Sequence, residues 1–314
     1  MKVIEYDRYG GPEVIELREA SMPVPARGEV LVHIRAAALN PKDALVRAGK
    51  FKRLAGPEFP KRMGYDLAGE VAALGAGVQG LSVGQPVFAM VQSWKAGAFA
   101  EYAAVPQAEL AAAPPGLSHA EAAALPLAAL TALQALRDLA GIGPGASAVI
   151  HGASGGVGTL AVQIAKALGA RVIALCGADS AALVRSLGAD EVHDYRQTAP
   201  AQLGGRHQAF FDVFGNQHFS AIRHLLTTRG TYVSTVPNAR NIRDHLLTRL
   251  SPLKKARLVI VRSKRADLET LAAWVAEGRL KPVIAARFPL AEVREAHEMI
   301  QAKKTHGKIV LQLD

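Results

Sequence analysis

Residues 149–175 read VIHGASGGVGTLAVQIAKALGARVIAL, with four glycines (Gly152, Gly155, Gly156 and Gly158) inside seven positions. Glycine loses more conformational freedom on folding than any other residue, so such a cluster persists only where side chains would be in the way. The flanks say what surrounds it. An apolar β-type run at 148–151 leads in, and VGTLAVQIAKAL follows, with Val157, Leu160, Ala161, Ile164 and Leu168 spaced as one helical face. Gly169 stops that helix from the C′ position, and a second apolar run follows at 171–175.

Strand, glycine turn, helix and strand is the order a dinucleotide site requires. Gly155 and Gly158 keep the offsets of the second and third glycines of G-x-G-x-x-G, one for close approach of pyrophosphate and one for helix-on-sheet packing. Ala153 stands at the first position, with Gly152 just before it. Gly152, Ser154, Gly155, Gly156, Val157 and Gly158 are therefore expected to line the phosphates, facing them with free N–H groups and the positive end of a helix. Ser154 lacks the G-x-S-x-G frame of a hydrolase nucleophile.

The tip of the second strand bears on the choice between NAD and NADP. NAD enzymes usually place an acid there for the ribose 2′-hydroxyl, about 20 residues past the glycines. Here the tip reads Leu175-Cys176-Gly177-Ala178, and Asp179 comes late. Ser180, Tyr195 and Arg196 are in reach to receive a 2′-phosphate, so NADPH is the expected cofactor.

Further β-type runs at 191–193, 209–214, 231–235 and 257–261, with helical crossovers, predict an α/β, doubly wound parallel sheet. The first hundred residues hold short β-rich runs between Gly and Pro turns, the pattern of a compact β-barrel domain. Expected boundaries are 1–122 for this domain, 123–262 for a Rossmann domain that binds NADP, and 263–314 for a segment returning to the first.

One cysteine in 314 residues excludes an internal disulfide framework and a cysteine-based zinc cluster. No apolar run is long enough to insert in a membrane, and MKVIEYDRYGG has no signal-peptide core, so a reduced, cytoplasmic setting is expected. Between 240 and 308 there are 16 Lys and Arg against 7 Asp and Glu, most of the net charge of +10. The basic residues are scattered among apolar helical positions, without the aromatic interleaving that stacks bases, so nucleic acid is not the expected partner. His297 and His306 read as surface residues.

ALNPKD (38–43), GYDLAGEVAALG (64–75), AFAEY (98–102), AAALPLAALTALQAL (122–136), HGASGGVG (151–158) and THGKIVL (305–311) together span nearly the whole chain. In that order they resemble the medium-chain dehydrogenase/reductase superfamily, within it the zinc-independent, zeta-crystallin-like quinone oxidoreductases. The resemblance implies a GroES-like β-barrel domain, a Rossmann domain inserted before its last segment, and a homodimer; the run RLVIV (257–261) offers an edge for pairing. Zinc-dependent relatives carry a GHE-like triplet and an upstream Cys. Here Gly64-Tyr65-Asp66 and Asn40-Pro41-Lys42-Asp43 stand instead, so no metal is expected.

The resemblance also implies site residues. Asn40 would lie beside the nicotinamide or its ribose, Thr131 near the phosphate or nicotinamide, and Lys308 on a cofactor phosphate. Phe214, Gly215 and Asn216 at the fourth strand's end, and Val236 after the fifth, would border the cofactor. Leu45 and Phe51 stand where several relatives have substrate-pocket tyrosines. Asn40, Asp43 and Tyr65 are the catalytic candidates, with Asp43 or Tyr65 as proton donor. The expected activity is metal-free hydride transfer from NADPH to a quinone or α,β-unsaturated carbonyl, which needs little beyond two flat rings held together. An enoyl-thioester (enoyl-CoA type) reductase and a low-turnover NADPH-binding protein of zeta-crystallin type are the alternatives.

Overall fold

The computed structural model describes residues 1–94 and 96–313. The chain forms two compact units. The first comprises Met1–Ala128, Arg262–Glu277 and Pro282–Asp314; the second comprises Ala129–Val261 and Gly278–Lys281.

The first unit begins with strands β1 (Lys2–Tyr6), β2 (Glu16–Glu19), β3 (Glu29–Ala38), β4 (Lys61–Arg62), β5 (Asp66–Leu74), β6 (Pro86–Met90), β7 (Tyr102–Pro106) and β8 (Leu110–Ala112). The long strand β3 organises them. Its Val30, Val32 and Ile34 alternate into an apolar core shared with Leu67, Val71, Val87, Phe99 and Val105. β3 pairs antiparallel with both β5 and β7, and its register sets Ala38 opposite Asp66. Pro41 then starts the short helix Pro41–Arg47 directly after Asn40.

The second unit holds β9 (Ser147–His151), β10 (Arg171–Cys176), β11 (Glu191–Asp194), β12 (His207–Asp212), β13 (Leu226–Ser234) and β14 (Lys255–Leu258). All are parallel, in the order β11-β10-β9-β12-β13-β14. This is the doubly wound α/β arrangement, and its strand order reverses between β9 and β12, the position where such sheets take ligands. The fourth strand ends at Asp212, so Phe214, Gly215 and Asn216 lie in the turn beyond it rather than at the strand's own end.

The last strands, β15 (Ile284–Pro289) and β16 (Lys308–Gln312), belong to the first unit. β16 adds antiparallel to β3, Val310 opposite Ala38. That register brings Lys308 to Asn40 across a separation of 268 residues. Among the described residues no helix is long and apolar enough to cross a membrane.

Candidate active site

In the second unit, β9 runs into the glycine turn and helix Gly156–Ala167. Gly152 has φ +84°, a conformation that favours glycine. A Cβ on Gly158 would overlap the carbonyl oxygen of Gly152 and the backbone of Ala153, so this glycine closes the helix onto the turn. Gly155 is different. Its φ of −75° suits any residue, and a Cβ there would meet, among the described residues, only the Gly152 oxygen at 3.7 Å. Nothing in the fold requires glycine at 155. Gly155 is also the N-cap, and no side chain caps the helix, which leaves first-turn N–H groups for an anion. Open space above bare amides fits a pyrophosphate.

Beneath the turn lies a carboxylate that sequence reasoning missed. Asp212, fully buried at the end of β12, accepts from His151 Nδ1 at 2.8 Å, from the N–H groups of Gly215 and Gln217 at 2.8 Å each, and from the Tyr232 hydroxyl at 3.0 Å. An acid closing the apolar run QAFFD was the available signal. Gly215, at φ +76°, packs so tightly on Val236 that a Cβ would collide with that side chain. Phe214 and Val236 are both partly exposed at these tips, and the Phe214 ring meets His151 edge-on at 6.3 Å. Thr131 is buried in helix Pro126–Leu133.

At the tip of β10, Ser180 is buried and its hydroxyl donates to the Gly177 carbonyl at 3.0 Å. Tyr195 is exposed, with the Arg196 guanidinium 5.6 Å from its ring centre. Tyr195 also borders Gly177: a Cβ there would lie 3.9 Å from its ring. The same added atom would lie 2.5 Å from Asp179 Oδ1, so a carboxylate does stand at this strand tip.

The first unit holds a buried polar cluster. Asp66 accepts from Asn40 Nδ2 at 3.0 Å, Lys308 Nζ at 3.1 Å and the N–H of Leu127 at 2.8 Å. Lys308 also donates to Asn40 Oδ1 at 2.6 Å. The Asn40 amide is thus engaged at both ends, and the Lys308 ammonium is matched inside this unit. Asp43 Oδ2 accepts from the Asn40 N–H at 2.7 Å and starts the helix, while Asp43 Oδ1 and the Tyr65 hydroxyl are buried without a hydrogen-bond partner among the described residues. Leu45 is exposed, and Phe51 lies 5.4 Å from the Trp94 ring.

Burial lifts the Asp43 carboxyl from 3.8 to about 7; the Asn40 N–H opposes this, the Asp66 charge adds to it, and Lys308 and Lys42 oppose it. The fold favours the protonated acid. That contribution is complete below the unfolded pKa and is lost as pH rises through about 7. Between roughly pH 5 and 8 the protein should therefore lose on the order of 2–4 kcal/mol of stability from this group. Asp43→Asn, which keeps an acceptor for the Asn40 N–H, should flatten most of that slope in thermal melts. Equal slopes in both proteins would contradict the assignment.

His297 corrects its expectation. Helix Val293–Gln301 turns Val293, Ala296 and His297 inward, and His297 is fully buried. Burial, with Arg47 adding, pushes its pKa down to about 3, so the ring is neutral.

Residues 26–115 match the alcohol dehydrogenase GroES-like domain, and residues 187–311 match the zinc-binding dehydrogenase family. A chloroplast envelope quinone oxidoreductase homolog from Arabidopsis thaliana is 33% identical over 323 residues, covering 99% of this chain and 98% of that protein. The quinone oxidoreductase of Coxiella burnetii shares the fold at a TM-score of 0.91 and 29% identity, over 100% of this chain and 99% of that one. A mycobacterial protein solved in complex with NADPH follows at 0.82 and 28%, over 100% of each chain. The chain belongs to the medium-chain dehydrogenase/reductase superfamily, in its quinone oxidoreductase branch, and is an oxidoreductase. Among the described residues no three His, Cys, Asp or Glu side chains are grouped to hold a metal ion.

Proposed function

We propose that this protein transfers a hydride from NADPH to a quinone or an α,β-unsaturated carbonyl, without a metal. The observation that carries the reading is Gly155, a glycine that its own fold does not need, at the mouth of an uncapped helix. A reduced nicotinamide bound there supplies hydride. The chain's residues bind and orient: the turn's N–H groups take the pyrophosphate, and the Asp212 carboxylate holds the neighbouring turn in shape. Arg196 and Tyr195 take the 2′-phosphate, the guanidinium as a charge-assisted donor. The free edge of β14 would join two copies in a homodimer.

A second reading, NADH, is favoured by Asp179, whose carboxylate reaches the strand tip. Arg196→Ala separates the two. If NADPH is the cofactor, its Kd should rise about 10- to 100-fold, the worth of one charged hydrogen bond, with NADH hardly affected. An equal effect on both nucleotides, or tighter wild-type binding of NADH, would favour the second reading. The activity itself is tested by following NADPH absorbance with 1,4-benzoquinone, 1-octen-3-one and an enoyl-CoA. Rapid oxidation with the first two supports the proposal. Turnover of the enoyl-CoA alone would make it a thioester reductase, and tight NADPH binding with no turnover would make it a binding protein.

A further inference from the structure

Lys42 lies between Asn40 and Asp43, partly buried on the helix Pro41–Arg47. Its ammonium stands 3.5 Å from the centre of the Tyr65 ring and 4.6 Å from that of Trp94. Phe51 extends the aromatic wall behind Trp94. A lysine normally carries its charge out to water. This one rests on two ring faces, and among the described residues no oxygen accepts a hydrogen bond from it.

The neighbouring groups are less able to deliver a proton. Asn40 is tied between Asp66 and Lys308. Tyr65 keeps its phenol proton, since burial, with the Asp43 and Tyr6 charges adding, raises its pKa far above the ordinary 10. Asp43 holds its proton under burial, with Oδ2 accepting from the Asn40 N–H and Oδ1 enclosed, so the acid is shut away from a substrate rather than presented to one. Lys42 is set the other way: burial lowers its pKa from 10.5 and makes the ammonium a readier acid, opposed by Asp43 where that carboxyl is ionised and by the Asp66 charge.

We infer that Lys42 receives the carbonyl oxygen of a flat, conjugated substrate lying along Trp94 and Phe51, and that its ammonium supplies the proton that completes the reduction. The inference rests on the proposed hydride transfer. With an enone, the incoming hydride forms a C–H bond at the β carbon, and the C=C π electrons shift to make an enolate. One Nζ–H bond of Lys42 breaks as an O–H bond forms on that oxygen. The enol relaxes to the saturated ketone, with oxidation of the nicotinamide, and solvent reprotonates the amine. The ammonium also stabilises the charge that develops on oxygen before the proton moves.

The test uses Lys42→Met, close in length and uncharged, and Lys42→Arg, which keeps the charge but does not release its proton. Turnover of 1-octen-3-one with NADPH is measured across pH, and NADPH binding by fluorescence shows that each variant is folded. Ionisation of 4-nitrophenol bound to the NADP⁺-loaded protein is read by its absorbance. Lys42→Met should lower kcat about 100-fold or more, abolish the alkaline fall of the pH profile, and leave NADPH binding unchanged. Wild type and Lys42→Arg should ionise the bound phenol at lower pH than Lys42→Met does. A Met variant within about threefold of wild type, with the same profile and the same phenol shift, overturns the inference. If wild type reduces neither quinone nor enone yet shifts 4-nitrophenol through Lys42, the proposed activity fails and the oxygen contact stands. If wild type shows neither turnover nor phenol shift, both fall.

Discussion

Alanine at Gly155 and alanine at Gly158 should give opposite signatures. At 158 the new methyl enters the backbone of Gly152 and Ala153, so helix and turn must part. Overpacking of this kind costs about 1–3 kcal/mol and displaces the amides that meet the ligand. Both melting temperature and nucleotide affinity should fall, and kcat/KM should drop about a hundredfold, the scale of an ångström-sized misplacement. At 155 the methyl has room and an ordinary backbone conformation. Melting temperature should fall by no more than about 2 °C, because alanine narrows the unfolded ensemble but caps the helix less well than glycine. Nucleotide binding should nevertheless weaken if the pyrophosphate comes to this turn as proposed, because the methyl would stand in its place. Calorimetry and fluorescence titration of the two variants check this. Unchanged affinity in Gly155→Ala would remove the main support for the cofactor site.

Truncating Asp66 should be among the most damaging changes available in the first unit. Its carboxylate is fully buried and accepts from Lys308, Asn40 and the N–H of Leu127. Asp66→Ala strands a buried ammonium and a buried amide, a loss of about 3–5 kcal/mol. For a chain of this size that lowers the melting temperature by roughly 6–15 °C. Asp66→Leu combined with Lys308→Met removes both charges together and should recover much of the loss, since buried pairs often exchange for apolar residues at little net cost. Thermal unfolding of the single and double variants measures it. A single-variant loss under about 1 kcal/mol would mean that water reaches the pair.

What could be read from the sequence and what could not divides by distance along the chain. The glycine turn and its helix were legible because the requirement is local: positive φ at Gly152 and close packing at Gly158 are answered within seven residues. The doubly wound sheet was legible from alternating periodicities, although the position where its order reverses is a tertiary fact. The Asp66–Lys308 pair was not legible, because it depends on β16 joining β3 in one register. Asp212 was missed because an acid after an apolar run looks like any loop residue until its four donors are assembled around it. Lys42 gave no signal at all, since a lysine beside a helix start normally faces water. His297 misled in the opposite sense: a polar residue type sits on the inward stripe of its helix, with Val293 and Ala296.

The carboxylate at the end of β12 ties together the end of β9, the loop after β12 and a tyrosine on β13. Three segments that selection would otherwise adjust separately have to change in concert, or not at all. Tyr195 and Arg196 hang from other strands and have no bond to that hub. With the 2′-phosphate on Tyr195 and Arg196, as proposed, preference between the two nicotinamide nucleotides could drift from one descendant of this chain to the next while the loops around Asp212 stay as they are.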